Sequence, residues 1–200
     1  MTRAAAQHFA TVATGYDRRR ARWPLGALRA AEQQAVRALV HIRPGDRVLD
    51  VGCGDGAIAA WARDQHAEVL AVDLVPAMAR HVARRGIAAV VQDFEALGVR
   101  PGFDWALCIG ALEFAARPAA ALRELAATLR PGGRVGLLFP RRAALGHLYA
   151  AYHRSHGLPI RLFAVGEMCE LLCAAGLGPD ARWRHGWLSS VCVTQPRSRA

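Results

Sequence analysis

Apolar residues between positions 47 and 140 follow two patterns that alternate along the chain. Short apolar runs typical of buried strands are separated by segments in which apolar residues recur at helical spacing, as Leu122 and Leu125 do. This alternation predicts a parallel sheet covered by helices, because parallel strands need long crossover connections. The predicted strands are 47–51, 67–72, 88–92, 103–109 and 134–139, and the predicted helices are 57–65, 76–85 and 119–130.

Further elements are predicted on both sides of this region. They are a helix at 26–40, a helix at 166–175, and two short strands at 181–184 and 190–194. Together with the central alternation they predict an α/β fold, a doubly wound sandwich of three layers. A chain of 200 residues has room for one such domain.

Composition narrows the class of protein. Hydrophobic residues make up 53% of the chain, yet no apolar run approaches the ~18 residues of a membrane span. The first residues lack the apolar core of a signal peptide. Five cysteines without a disulfide spacing suit a reducing compartment. We therefore expect a cytoplasmic protein.

The positive charge is uneven. All 26 basic residues are arginines, and the formal net charge is +10. Residues 1–47 hold nine arginines against three acids, and residues 141–200 hold eight against three. Residues 48–140 are almost neutral, with nine arginines and ten acids. A neutral middle is thus flanked by two basic ends, which would favour an anionic partner if they border a binding site.

A glycine-rich turn follows the first predicted strand. Gly52, Gly54 and Gly56 lie between this strand and the next helix, so the backbone there can approach a ligand closely. Read alone, the turn also fits a dinucleotide-binding fingerprint. Asp50, two residues before the first glycine, favours a cationic ligand, because a pyrophosphate would be repelled by its carboxylate. S-adenosylmethionine carries both an ammonium and a sulfonium group.

Two further acids follow the second and third predicted strands. Asp73 can accept hydrogen bonds from both hydroxyls of a ribose, which would serve NAD equally well. Asp93 and the neighbouring Phe94 offer an acceptor for an adenine amino group beside an aromatic wall. Asp93 and Phe94 therefore again favour S-adenosylmethionine over NAD.

Five segments in this order resemble the class I, seven-stranded, Rossmann-like S-adenosylmethionine-dependent methyltransferases of small-molecule type. The segments are Val48–Gly56, Ala71–Leu74, Gln92–Phe94, Phe103–Phe114 and Leu129–Arg134. The resemblance implies a mostly parallel, seven-stranded sheet with an antiparallel last strand. It also implies S-adenosyl-L-methionine as cofactor, held by Asp50, Gly52, Cys53, Gly54, Gly56, Asp73, Leu74, Asp93, Phe94, Cys108 and Ile109.

The resemblance divides the single domain, residues 1–200, into three parts. Residues 1–40 are expected to form an N-terminal helical cap or lid, and residues 41–140 the cofactor-binding core. Residues 141–200 are expected to form the acceptor side and a C-terminal hairpin.

One departure concerns the acceptor side. Many relatives carry histidine where this chain has Phe114, so the most obvious general base is absent and no catalytic residue is assigned. The candidate substrate contacts are Tyr16, Arg20, Phe114, His147 and Tyr152. No residues with metal-ligand spacing are assigned to a metal site.

These observations favour methyl transfer to a small, anionic, lipid-like or carrier-bound acceptor. Two alternatives stay open: a methyltransferase acting on RNA or another nucleic acid, and a non-catalytic subunit that binds S-adenosylmethionine. The nucleic-acid alternative is disfavoured, because 200 residues leave no room for an appended RNA-binding domain.

Overall fold

The computed structural model describes residues 3–12, 25–178 and 181–197. Within them, seven strands form one sheet in the order β3-β2-β1-β4-β5-β7-β6. The strands are β1 (Arg47–Val51), β2 (Glu68–Asp73), β3 (Ala88–Val91), β4 (Phe103–Ile109), β5 (Leu129–Pro140), β6 (Arg182–His185) and β7 (Ser189–Thr194). β7 runs antiparallel to both of its neighbours, and β1 to β5 pair in parallel. The predicted mostly parallel sheet with an antiparallel last strand is confirmed.

Helices cover both faces of this sheet. They are α1 (Arg3–Val12), α2 (Leu25–Leu39), α3 (Ala57–Asp64), α4 (Pro76–Ala83), α5 (Pro118–Ala127), α6 (Ala144–Ser155) and α7 (Val165–Ala174), with a short 3-10 helix at Leu112–Phe114. Successive residues of β1 face opposite layers: Val48 packs in a cluster with Val36 of α2, and Leu49 in a cluster with Leu122 of α5. The doubly wound, three-layer prediction is therefore confirmed.

The structure differs from the sequence prediction at two places in the second half of the chain. β5 begins at Leu129, five residues earlier than predicted, because the Pro131-Gly132-Gly133 turn is absorbed as an irregularity in the pairing with β4. The helix α6 was not predicted. Its buried residues are the small Gly146 and Ala150, so the sequence has no stripe of large apolar residues there.

The chain order reverses between β1 and β4, which lie side by side at the centre of the sheet. Crossovers leave this point in opposite directions, so a crevice opens beyond the carboxyl ends of these strands, where open α/β sheets bind ligands. The glycine turn follows β1 at this position.

The close approach of β4 and β5 at Gly133 yields a prediction about stability. A Cβ atom there would lie 2.6 Å from the backbone oxygen of Phe103. We expect Gly133→Ala to lower the free energy of unfolding by about 1–3 kcal/mol, as for other overpacked sites. Gly166→Ala is the matched control, because Gly166 lies in the first turn of α7 with no atom near its missing Cβ. Urea unfolding of both variants is the measurement; equal stability of the two would contradict the prediction.

Candidate active site

A cleft of about 900 Å³, part of it open to solvent, lies at the carboxyl ends of β1, β2, β4 and β5. Its floor is formed by the strand ends and the glycine turn. Its walls come from α1 and α2, which contribute Phe9 and Arg29 among others. The core of the sheet thus supplies one side of the cleft, and the N-terminal helices supply the other.

The glycine turn is tied to the end of β2. The N–H groups of Gly52 and Cys53 donate to the carbonyl oxygen of Val72 at 2.8 and 3.0 Å, and Gly54 N–H donates to Oδ2 of Asp73 at 2.9 Å. A Cβ atom on Gly52 would overlap Cβ of Ala111 after β4. Glycine is therefore required for the turn to fit between the two neighbouring strands.

Asp50 lies at the bottom of the cleft, near the end of β1. Its side chain is 2% exposed, and its Oδ2 has no hydrogen-bond partner among the described residues. Burial raises the pKa of this carboxyl to about 7, and repulsion from Asp55 and Asp73 adds to the effect. A buried carboxylate oxygen without a partner is costly, so the site is suited to a cation or a hydrogen-bond donor.

Asp73 at the end of β2 is also buried, and burial raises the pKa of its carboxyl. The N–H groups of Val75 and Gly54, one on each carboxylate oxygen, act against that shift. A carboxylate oxygen has more than one acceptor position. Asp73 can therefore still accept hydrogen bonds from two hydroxyl groups of a ligand.

Helix α2 brings three polar side chains to the cleft. Arg29, Glu32 and Gln33 follow the i, i+3, i+4 spacing of one helical face and all line the wall. The Arg29 guanidinium pairs with the carboxylate of Asp55 in the glycine turn. The hydroxyl of Ser189 donates a hydrogen bond to Oε1 of Glu32. This helix therefore connects the glycine turn with the start of β7.

An aromatic wall closes the cleft on the side of the 3-10 helix. Phe114 meets Phe9 of α1 edge-to-face with ring centroids 5.1 Å apart. Behind it, the imidazole ring of His153 on α6 lies 6.3 Å from the Phe114 ring. Both phenylalanines line the cleft, so this end of it presents an apolar surface.

Most of the predicted cofactor contacts line this cleft. They are Asp50, Gly52, Cys53, Gly54, Asp73, Leu74, Phe94 and Ile109, and the candidate substrate contact Phe114 lines it as well. Cys53 is held as a neutral thiol, because burial and then the Asp50 and Asp73 carboxylates raise its pKa. It is therefore a wall residue rather than a nucleophile.

Three of the predicted cofactor contacts do not line the cleft. Cys108 is fully buried and faces the core, because side chains alternate along β4 and Ile109 takes the cleft side. Gly56 caps the start of α3, where a Cβ atom would lie 2.7 Å from Cγ2 of Val82 in α4. Oδ1 of Asp93 accepts the N–H of Glu95 at 3.0 Å, so this side chain supports the turn after β3.

The other candidate substrate contacts have different outcomes. His147 and Tyr152 are exposed on α6 and do not line the cleft, because the helix turns its Gly146 and Ala150 face inward. Tyr16 and Arg20 lie outside the described residues.

Sequence reasoning missed several residues of the cleft. They are Phe9, Arg29, Glu32, Gln33, Asp55, Ala57, Ile58, Met78, Gly110, Ala111 and Leu138. The polar face of α2 was readable as a helical spacing, but nothing in the sequence shows which way that face turns. Within the described ranges, no group of three or more histidine, cysteine or acidic side chains is arranged to hold a metal ion.

Comparisons with known proteins show that part of the chain is similar to methyltransferases. Residues 49–137 match a family described as a methyltransferase domain. A ubiquinone biosynthesis O-methyltransferase from Xanthomonas campestris pv. campestris is 36% identical over 122 residues, which are 57% of this chain and 51% of that protein. The chain thus spans about half the length of the curated relatives it matches.

Solved structures share the whole fold. A possible histamine N-methyltransferase from Thermotoga maritima superposes with a TM-score of 0.79 at 22% identity, covering 96% of this chain and 99% of the other. A 1,6-didemethyltoxoflavin-N1-methyltransferase from Burkholderia thailandensis, solved with bound 1,6-didemethyltoxoflavin and S-adenosylhomocysteine, superposes with a TM-score of 0.70 at 26% identity, covering 98% of this chain and 89% of the other. No described helix is both long and apolar enough to cross a membrane.

Burial of Asp50 makes stability depend on pH. Its pKa is about 7 in the folded chain and near the ordinary 3.8 in the unfolded chain, so the folded state loses stability as pH rises from 4 to 7. The difference between these two pKa values corresponds to a loss of roughly 4 kcal/mol in the free energy of unfolding. We expect Asp50→Asn to gain stability relative to wild type over this range, with the gain constant above pH 7. Urea unfolding without ligand at pH 5 and pH 8 measures it, and an equal difference at both pH values would contradict it.

Proposed function

We propose that this protein transfers methyl groups from S-adenosylmethionine to a small acceptor. The match of residues 49–137 to a methyltransferase domain and the seven-stranded class I fold support this proposal. The observation that carries this proposal is the buried Oδ2 of Asp50, which has no hydrogen-bond partner among the described residues. It stands at the end of the central strand, where the ligand's ammonium group would supply the missing positive charge.

The remaining residues of the cleft fit the other parts of this cofactor. The Asp73 carboxylate would accept the two ribose hydroxyls, and Leu74, Met78 and Phe94 would enclose the adenine ring. Arg29, which pairs with Asp55 in this structure, would bind the carboxylate of the methionine part. The ammonium and the carboxylate of the cofactor thus each have a side chain of opposite charge in reach of the cleft.

The glycine turn argues against a dinucleotide. The N–H groups of Gly52, Cys53, Gly54, Gly56 and Ala57 all donate to oxygen atoms of the protein. A turn that binds pyrophosphate needs such groups directed at the ligand. Asp50 beneath the turn would in addition repel the phosphates.

The bound cofactor supplies a methyl group that is already activated by its sulfonium. The protein's part is to align the acceptor with that methyl group and to exclude water, and orientation alone can contribute about 7–11 kcal/mol. Phe9, Phe114 and Leu138 provide the apolar enclosure for this purpose. A dedicated base is not required for such a transfer.

We propose a lipid-like acceptor whose anionic or carrier-bound portion lies outside the cleft. The apolar wall of Phe9 and Phe114 supports the lipid-like part, and the O-methyltransferase name of the relatives supports oxygen as the methylated atom. Residues 141–166, which include α6 behind Phe114, contain four arginines and three histidines; Arg142 and Arg161 are paired with Glu167, and Arg154 on α6 is exposed. This segment would attract a negative charge carried by the distal end of the acceptor.

The N-terminal residues 1–40 are proposed to act as a cap over the cleft. In support, α1 contributes Phe9 to the wall and α2 contributes Arg29, Glu32 and Gln33. Residues 13–24, which join these helices and include Tyr16 and Arg20, lie outside the described part of the chain.

Binding of S-adenosylhomocysteine tests the cofactor site. We expect micromolar affinity by calorimetry, no comparable binding of NAD, and a loss of at least about tenfold for Asp73→Ala, because charge-assisted hydrogen bonds to the ribose are removed. Affinity should rise up to about tenfold between pH 6 and pH 8, since the ammonium binds the ionised form of Asp50.

Two variants control this experiment. Asp50→Asn should bind weakly and without that pH dependence, and Asp64→Ala, at an exposed site on α3, should bind like wild type. Tight binding of NAD together with no binding of S-adenosylhomocysteine would overturn the proposed function.

Transfer of a labelled methyl group tests the acceptor. We expect labelling of phenols, with a lower KM for phenols that carry a long hydrocarbon tail, because the tail would pack on the aromatic wall. Phe9→Ala should raise KM for tailed phenols several-fold and change it little for phenol itself. A protein that binds S-adenosylhomocysteine but labels no phenol, or prefers the phenols without tails, would contradict the acceptor proposal.

A further inference from the structure

An ion pair joins helix α2 to the glycine turn inside the cleft. The guanidinium of Arg29 contacts Oδ2 of Asp55, and both residues line the cleft. The two side chains are only 22% and 10% exposed, so water screens their attraction incompletely. The second carboxylate oxygen of Asp55, Oδ1, accepts the N–H of Ala57 at 3.1 Å. The Asp55 carboxylate is therefore held in place from two sides.

Arg29 is the only basic side chain among the described residues that line the cleft. The same lining contains Asp50, Asp55 and Asp73, so an anionic group of a ligand would be repelled over much of the floor. In this structure the charge of Arg29 is already balanced by Asp55. A carboxylate on a ligand therefore has to draw Arg29 away from a partner that is already in place.

We propose that Asp55 competes with the carboxylate of the cofactor for Arg29 and so limits the contribution of that carboxylate to binding. This inference rests on the proposed function, in which Arg29 binds the methionine carboxylate. When the guanidinium exchanges one carboxylate for another, only the difference between the two contacts stabilises the complex. Asp55 also repels a second carboxylate placed beside Arg29. Asp55 is therefore a specificity-determining residue that weakens the preference for ligands with a carboxylate.

Such a limit suits an enzyme that has to release its product. S-adenosylmethionine and S-adenosylhomocysteine share the methionine carboxylate, so the competition weakens both complexes alike. A contact that holds donor and product equally does not accelerate the transfer itself. Weakening this contact therefore leaves the methyl step unaffected and shortens the time for which the product occupies the cleft.

Two ligands that differ only in the carboxylate test this inference. S-adenosylhomocysteine carries this group, and its decarboxylated analogue, S-adenosyl-3-thiopropylamine, keeps the adenosine, the sulfur and the ammonium. The measured quantity is the carboxylate ratio, defined as the dissociation constant of the analogue divided by that of S-adenosylhomocysteine, both from calorimetry. An effect of a variant on Asp50 and the ammonium acts on both ligands and cancels in this ratio.

The charge of Asp55 can be removed without removing its hydrogen bond. In Asp55→Asn the side-chain oxygen can still accept the N–H of Ala57, whereas the charge that pairs with Arg29 is lost. We expect a carboxylate ratio below about five in wild type and a ratio about five- to tenfold larger in Asp55→Asn, because Arg29 then serves the ligand alone.

Matched variants make the result specific. Arg29→Gln should remove the preference, so that the two ligands bind alike. Adding Asp55→Asn to Arg29→Gln should change nothing further in the ratio, because the effect of Asp55 acts through Arg29. Asp64→Asn, which removes an acid at an exposed site on α3, should keep the wild-type ratio.

The outcomes separate the inference from the proposed function. A ratio in Asp55→Asn that equals that of wild type, or is smaller, would overturn the competition, because Asp55 would then be inert or would position Arg29 for the ligand. An unchanged ratio in Arg29→Gln would overturn the contact of Arg29 with the carboxylate, and the inference with it. Failure of wild type to bind either ligand would instead overturn the cofactor site itself. Binding of the analogue by Asp55→Asn also shows that this variant is folded.

Discussion

The electrostatics of the cleft depend on one buried carboxylate at the end of the central strand. Asp50 is flanked by strands on both sides and is almost fully removed from solvent. Its ionised form is destabilised by burial and by the nearby Asp55 and Asp73. A cationic ligand relieves this cost, so part of the binding free energy comes from a charge that the fold alone leaves uncompensated.

The proposed position of the ligand also depends on the glycine turn, which is the glycine-rich segment that follows β1. Its N–H groups donate to Val72 and Asp73, which fixes the turn against β2, and Gly52 fits against Ala111 beyond β4. Because these bonds remain within the protein, the turn acts here as a rigid floor rather than as a phosphate cradle. The Asp73 carboxylate that holds the turn also lines the cleft, so one carboxylate would serve both the floor and the proposed ribose site.

The sequence predicted the sheet well because its signals are local. β1 and β4 match the predicted bounds, since each is a mostly apolar run between polar turns. The start of β5 was missed because Pro131-Gly132-Gly133 is a breaker in isolation, and only the pairing with β4 accommodates it within the strand. The helix α6 was missed because the residues it buries are too small to produce a periodic pattern.

The candidate site was predictable where a motif carries it and not where separate elements meet. The floor, with Asp50 and Asp73, follows from the spacing of residues along two strands. In contrast, the hydrogen bond between Glu32 and Ser189 joins residues 157 positions apart, and no local sequence pattern predicts it. Side-chain alternation also removed Cys108 from the cleft, although it belongs to a segment that resembles the family.

The net charge of the chain ends overstates the positive charge that can act on the cleft. Arg142 and Arg161 are both bound to Glu167 at 2.7 Å, and Arg29 is paired with Asp55. Remote arginines that stay exposed act over a Debye length and affect how fast an anionic molecule arrives. A basic chain can therefore enclose a cleft whose charged lining residues are mostly acidic, with Glu32, Asp50, Asp55 and Asp73 against Arg29.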